Sequence, residues 1–177
     1  LWLPNVPAWL ATFFACAQLG AIAVAINTRF RSHELSDIVG RSGSKLLVFW
    51  PGFTRADFRG VLAGCEPAAL ASIETIVVYA EGGEAVPASI AGKPALAYAT
   101  LAASAPLAKN RAKPETSCAI FTTSGTTKAP KFVLHNQRTL ISHAFEVMRA
   151  FALGPQSVLL LVPPLCGVFG FCNALAA

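Results

Sequence analysis

The chain has 177 residues, 54% hydrophobic and 13% charged, with 14 Lys and Arg against 9 Asp and Glu for a net charge of +5. This balance excludes intrinsic disorder, which needs low hydrophobicity and high charge. Five scattered Cys in a chain this long exclude a disulfide-framed miniprotein. A mean hydropathy of +0.55 is high, and it fits either a membrane-associated protein or an interior stretch of a larger domain. The chain opens on Leu1 and closes on an apolar run over 171–177, so it reads as an internal piece of a longer protein.

Residues 6–26 and 158–177 approach the length of about 20 apolar residues that a membrane span requires. Both read better as soluble elements. In the first, Asn5 as N-cap, Pro7 in the first turn and Gly20 as a stop frame a buried helix. A short apolar strand over 21–26 follows. In the second, Pro163 and Pro164 interrupt the run. No transmembrane span is expected.

The second helix covers 29–40, with Ser32 as its N-cap and Glu34 in the first turn. Leu35, Ile38 and Val39 share its buried face, and Gly43 closes the unit. Leu46, Leu47, Val48 and Phe49 run unbroken within a strand over 45–50, the pattern of a parallel strand covered on both faces. A helix over 53–62 follows a Pro51-Gly52 turn. Thr75 to Tyr79 is the clearest strand by β-branched content. From 81 to 114 Gly, Pro and Ala dominate, which predicts a long irregular surface connection with one helical turn near 98–103. Lys109, Arg111 and Lys113 within it read as solvated, too few for a nucleic-acid face. Strands then fall at 118–122 and 132–134. Asn136 caps a helix over 137–151, closed by Gly154 and Pro155, and 158–162 is a further buried strand. Helices alternating with such strands predict an α/β fold, a layered sheet with helices on both faces.

The chemistry concentrates in Thr122-Thr123-Ser124-Gly125-Thr126-Thr127-Lys128-Ala129-Pro130-Lys131. Hydroxyls and exposed backbone N–H groups are anion donors, and glycine lets the backbone approach closely. Lys131 adds a cation for phosphate oxygens. The segment is not a Walker A loop, because Pro130 precedes the Lys and Phe132 follows it. By composition alone, a solvated polar turn is the alternative.

The order of residues resembles the phosphate loop of the adenylate-forming superfamily of acyl- and aryl-CoA ligases, luciferases and nonribosomal adenylation domains. The family pattern reads Thr-Ser-Gly-Thr-Thr-Gly-x-Pro-Lys-Gly-Val. It is matched at Thr123, Ser124, Gly125, Thr126, Thr127, Pro130, Lys131 and Val133. Lys128 and Phe132 stand where the family carries Gly. Leu19-Gly20-Ala21, Ile26-Asn27 and Glu34-Leu35 resemble earlier family segments. His135 matches a frequent family His, and Gln137 replaces a second. Pro164-Leu165-Cys166-Gly167-Val168-Phe169-Gly170 is similar to the segment beside the acyl pocket, with Gly167 in place of a His.

The resemblance implies that 1–177 is part of the large N-terminal AMP-binding domain, truncated at both ends, of an ATP-dependent acid–thiol ligase. Such an enzyme activates a carboxylic acid as an acyl-adenylate with ATP and Mg²⁺, then transfers the acyl group to coenzyme A. It implies phosphate donors at Thr123, Ser124, Thr126, Thr127 and Lys131, a turn at Gly125, and pocket residues at Gly167, Val168, Phe169 and Gly170. The isolated chain is expected to be inactive, since later family motifs lie outside it. A fatty or aryl acid and a cytoplasmic location are further expectations. The alternatives are a phosphate- or nucleotide-binding module without ligase activity, and a membrane-associated protein. The Cys residues show no CxxC pair, so no metal site is expected. Trp2, Trp9 and Trp50 are expected in the core. His33 and His143 are read as surface residues, and His135 as helix-entry packing.

Overall fold

The computed structural model describes residues 1–82, 85–110, 112–123 and 129–177. Ser124, Gly125, Thr126, Thr127, Lys128 and Arg111 therefore lie outside the described residues. In chain order the elements are α1 (Pro7–Leu19), β1 (Ala23–Val24), α2 (Ser32–Ser42), β2 (Leu46–Phe49), α3 (Phe58–Ala63), β3 (Thr75–Val78), β4 (Ser89–Ile90), β5 (Lys93–Ala97), α4 (Tyr98–Ala102), β6 (Ser117–Thr123), β7 (Lys131–Asn136), α5 (Gln137–Ala150) and α6 (Val168–Ala176). They group into two compact units.

The first unit is built from Leu1–Leu3 and Thr28–Pro106, together with Ala129 and Pro130. Its sheet has the order β2-β3-β5-β4. β2, β3 and β5 run parallel, and β4 is antiparallel to β5. The unbroken apolar runs explain the parallel pairs: Leu47, Val48, Phe49, Ile76, Val77 and Val78 are all buried. Trp2 extends the sheet by donating its N–H to the Val48 carbonyl at 2.9 Å.

α2 starts at Ser32 rather than being capped by it. The cap position is Arg31, whose N–H donates to the Glu34 carboxylate at 2.9 Å. The Ser32 hydroxyl is occupied elsewhere, donating to the Val61 carbonyl at 2.6 Å. Gly43 ends α2 in the left-handed region at φ 60°, where glycine costs least. The helix expected over 53–62 begins only at Phe58, because Asp57 accepts the Gly60 N–H at 2.9 Å and fixes the start there. The stretch expected to be irregular holds a hairpin, β4–β5, turned by Ala91 and Gly92 at positive φ. Trp2 is fully buried, whereas Trp50 is only half-buried against Phe53 and Tyr79.

The second unit comprises Pro4–Asn27, Leu107–Thr123 and Lys131–Ala177. Its sheet has the order β1-β6-β7, with β1 parallel and β7 antiparallel to β6. α1 ends at Gly20 in the left-handed region, φ 74°, but its cap position is Val6 and not Asn5. The strand expected over 21–26 shortens to Ala23–Val24, followed by an Ala25 N–H to Ile120 carbonyl bond of 2.9 Å. Asn136 caps α5 as expected, its side-chain oxygen accepting the Thr139 N–H at 2.9 Å. α5 then stops at Phe151, ahead of Gly154.

The buried strand expected over 158–162 is not formed. Val158, Leu160 and Val162 are 97%, 84% and 74% exposed, since no described strand lies alongside them. Among the described residues no helix is long and apolar enough to cross a membrane.

The core of this unit is a ring cluster. Phe171 on α6 meets Phe13 at 4.4 Å, and Trp9 and Phe121 each at 5.5 Å between ring centroids. Trp9 and Phe171 are fully buried. Emptying such a site costs about 3–5 kcal/mol, while a change at an exposed ring stays within about 0.5 kcal/mol. Phe171→Ala is therefore expected to lower the urea midpoint of the full-length gene product strongly, and Phe145→Ala, at a position 57% exposed, to leave it nearly unchanged. Equal shifts would contradict this core.

Candidate functional site

β6 and β7 run antiparallel as two arms, and the hydroxyl-rich segment lies between them in sequence. Cys118, Ala119 and Phe121 are buried and hold β6 in the core. The register then runs Phe121↔Val133, Thr122↔Phe132 and Thr123↔Lys131. Thr123 and Lys131, eight positions apart in sequence, are thus directly opposite each other, and both are exposed. Directly opposed residues hold their Cβ atoms about 4.5–5.5 Å apart, so a hydroxyl and an ammonium flank the mouth of the hairpin. The other expected donors, Ser124, Thr126 and Thr127, and the expected turn at Gly125 fall outside the described residues.

Within the first unit, Arg41 holds the Pro130 carbonyl. Its guanidinium makes a fork with Asp37, with bonds of 2.8 and 2.5 Å, and a further N–H donates to the Pro130 carbonyl at 2.7 Å. The Asp37–Arg41 spacing of four is a helix ion-pair signal. Nothing in the sequence pointed to Pro130.

His135 lies on β7 opposite Ala119, half-buried, with its ring edge-on to Phe121 at 5.7 Å. Burial, and secondarily the charge of His143, hold its pKa below the ordinary 6.5. Gln137, in place of the family's second His, donates to the Ala17 carbonyl at 3.0 Å and ties the start of α5 to the end of α1. Cys118 and Cys172 are pushed up to about 11 by burial, which leaves them as unreactive thiols. Among the described residues no group of His, Cys, Asp and Glu could hold a metal ion.

The segment from Pro163 to Gly170 holds the expected pocket residues Gly167, Val168, Phe169 and Gly170. The Gly167 N–H donates to the Pro164 carbonyl at 3.0 Å, and the Phe171 N–H to the Gly167 carbonyl at 2.9 Å, opening α6. A Cβ at Gly170 would stand 2.3 Å from the Pro164 oxygen and 2.8 Å from the Pro163 oxygen. Only glycine fits under that double-proline turn. Val168 and Phe169 on the first turn are 37% and 59% exposed, while Phe171 points into the ring cluster. Asn5 explains its absence from the α1 cap here. Its amide donates to the carbonyls of Leu161 at 3.4 Å and Pro163 at 3.0 Å, and its oxygen accepts the Leu165 N–H at 2.8 Å.

The sequence model of the family described as AMP-binding enzyme matches residues 1–177. The chain belongs to the AMP-binding enzyme family. A similar curated relative is the 3-[(3aS,4S,7aS)-7a-methyl-1,5-dioxo-octahydro-1H-inden-4-yl]propanoyl:CoA ligase of Mycobacterium tuberculosis, 33% identical over 145 residues, covering 80% of this chain and 27% of the relative. The acyl-CoA synthetase of Brucella canis shares the fold, with a TM-score of 0.76 at 23% identity over 99% of this chain and 30% of that one. An anthranilate CoA ligase, AuaEII, solved with anthranoyl-AMP, gives 0.62 at 26% identity over 81% and 26%. The α/β fold expected for this AMP-binding chain is therefore observed, and the chain spans about a quarter of the length of the M. tuberculosis ligase (27%).

The depressed His135 sets a pH dependence in this AMP-binding chain. The unfolded chain takes the proton first, so the contribution is fully present above about pH 6.5 and is lost as pH falls toward the lower folded value. Stability of the full-length gene product, read as a urea midpoint, is expected to fall as pH drops below about 6.5. His135→Gln should flatten that slope. An unchanged slope in the variant would place the titration elsewhere.

Proposed function

We propose that the chain is part of an ATP-dependent, AMP-forming acid–thiol ligase. A carboxylate oxygen of the acid attacks the α-phosphorus of ATP, the bond to the β-phosphate oxygen breaks, and pyrophosphate leaves. The thiol of coenzyme A then attacks the acyl carbonyl, losing its proton, and AMP departs as the thioester forms. Mg²⁺ enters on the phosphates of ATP, as part of the substrate.

In this reading Thr123, Ser124, Thr126, Thr127 and Lys131 donate to the β- and γ-phosphates and spread their charge during the first step, and Gly125 gives the loop its turn. Thr123 and Lys131 work from opposite arms of one hairpin. That cross-strand pairing is the observation that carries the proposal, together with membership of the AMP-binding family. Gly167, Val168, Phe169 and Gly170 line the acid. The exposed apolar side chains of Val168 and Phe169 favour a fatty or aryl acid. The 177 residues alone do not turn over, since they make up a minor part of the relatives' length, and the location is cytoplasmic.

The test is acid-dependent exchange of labelled pyrophosphate into ATP by the full-length gene product. Removing a single preorganised donor costs on the order of 100-fold at a closed site and less at an exposed one. Lys131→Ala is expected to lower kcat/KM for ATP by about tenfold to 100-fold, and Thr123→Ala by about three- to tenfold. Wild-type ATP kinetics in both variants would contradict the phosphate assignment, and exchange by the isolated 177 residues would contradict the expectation that they do not turn over alone.

A further inference from the structure

An asparagine one residue ahead of the α1 cap position reads locally as a helix cap, yet Asn5 caps nothing. All its side-chain bonds go to backbone groups 156 to 160 positions away. Within the recipient stretch the Val162 N–H reaches the Leu160 carbonyl at 3.1 Å, while Asn5 meets the Leu161 and Pro163 carbonyls and the Leu165 N–H. Pro163 and Pro164 have no N–H, and residues 158–162 have no described strand partner. The amide replaces that partner, giving two donors and one acceptor to a single turn.

The turn in turn fixes α6. The carbonyls of Pro163 and Pro164 occupy the space where a Cβ of residue 170 would stand, and the Pro164 carbonyl also takes the Gly167 N–H. The height of the first turn of α6 therefore follows the place of the Pro163 oxygen, which Asn5 holds at 3.0 Å. The far side of that turn is pinned through Phe171 to Trp9 and Phe13, on the helix that begins two residues after Asn5. Val168 and Phe169 are left facing outward between these two anchors.

We infer that Asn5 is a positioning residue for the acid-binding wall, setting where Val168 and Phe169 stand by clamping the 161–165 backbone. The inference rests on the proposal that residues 167–170 line the acid, and it assigns Asn5 no contact with substrate.

The test uses pyrophosphate exchange by the full-length gene product with octanoate, palmitate and benzoate, measuring KM for the acid and for ATP separately. Asn5→Ala removes all three bonds. Asn5→Asp keeps size and acceptor but sets an oxygen against the Leu161 and Pro163 carbonyls. Both are expected to raise the KM of the best acid by roughly five- to twentyfold, the worth of one or two backbone hydrogen bonds. The KM for ATP should stay within about twofold, and the order of preference among the three acids should change. Phe169→Ala is the control for the underlying proposal, and it should alter acid KM by itself.

If Phe169→Ala leaves every acid parameter unchanged, or if no acid in the panel is exchanged, the wall assignment fails and the inference with it. If Phe169→Ala acts but the Asn5 variants move both KM values alike, or neither, the wall stands and the role of Asn5 is overturned. Should Asn5→Ala not fold, Asn5→Asp decides by the same split. Loss of folding in both overturns the inference, because the amide is then a requirement of the fold.

Discussion

The contact of Phe171 with three other rings is the constraint on which the second unit depends. Trp9 and Phe13 come from α1, Phe121 from β6 and Phe171 from α6, so one cluster ties two helices to the central strand of a sheet. Large rings bring most of the apolar burial available to a small unit, and tilted or edge-on pairs add about 0.5–1.5 kcal/mol beyond that. The residues proposed to meet phosphate and acid lie toward the ends of these elements rather than in their middles. Thr123 closes β6 two residues beyond Phe121, and Phe169 lies in the first turn of α6, two residues before Phe171. Function carried on the tips of a packed scaffold needs that packing to keep its geometry.

Backbone accounting explains the rest of the unit. The double proline that halts the apolar run over 158–177 also removes two donors, and a distant asparagine and a glycine without a side chain accommodate the result. Arg41 does a similar service in the first unit, joining an ion pair on α2 to the Pro130 carbonyl. By contrast, the exposed pairs Lys45–Glu74, Arg138–Glu115 and Arg149–Glu146 lie in water and contribute little each.

Much of the fold was legible because its signals are local. Asn136 capping α5, Gly20 and Gly43 ending α1 and α2, and the β-branched run of β3 depend on neighbours in sequence, and each appears where expected. Failures arose wherever a distant group outbid the local one. Ser32 gives its hydroxyl to Val61 and Asn5 its amide to 161–165, so neither caps a helix. The apolar 158–162 run carries a strand's composition, but a strand also needs a partner, which composition does not report. The β4–β5 hairpin was hidden by Ala, Pro and Gly, residues poor in β propensity that are held here by pairing with β3. For the candidate site, the loop's chemistry could be read from residue order. The opposition of Thr123 and Lys131 required the hairpin register.

The central claim is that the mouth of the β6–β7 hairpin receives the phosphates of ATP. Amide hydrogen exchange on the full-length gene product, with and without MgATP and in the absence of acid, addresses it directly. Slower exchange is expected in peptides spanning residues 122–132 when ATP is present, with peptides from β2 and β3 unchanged. Equal exchange rates over 122–132 with and without saturating ATP would contradict the account.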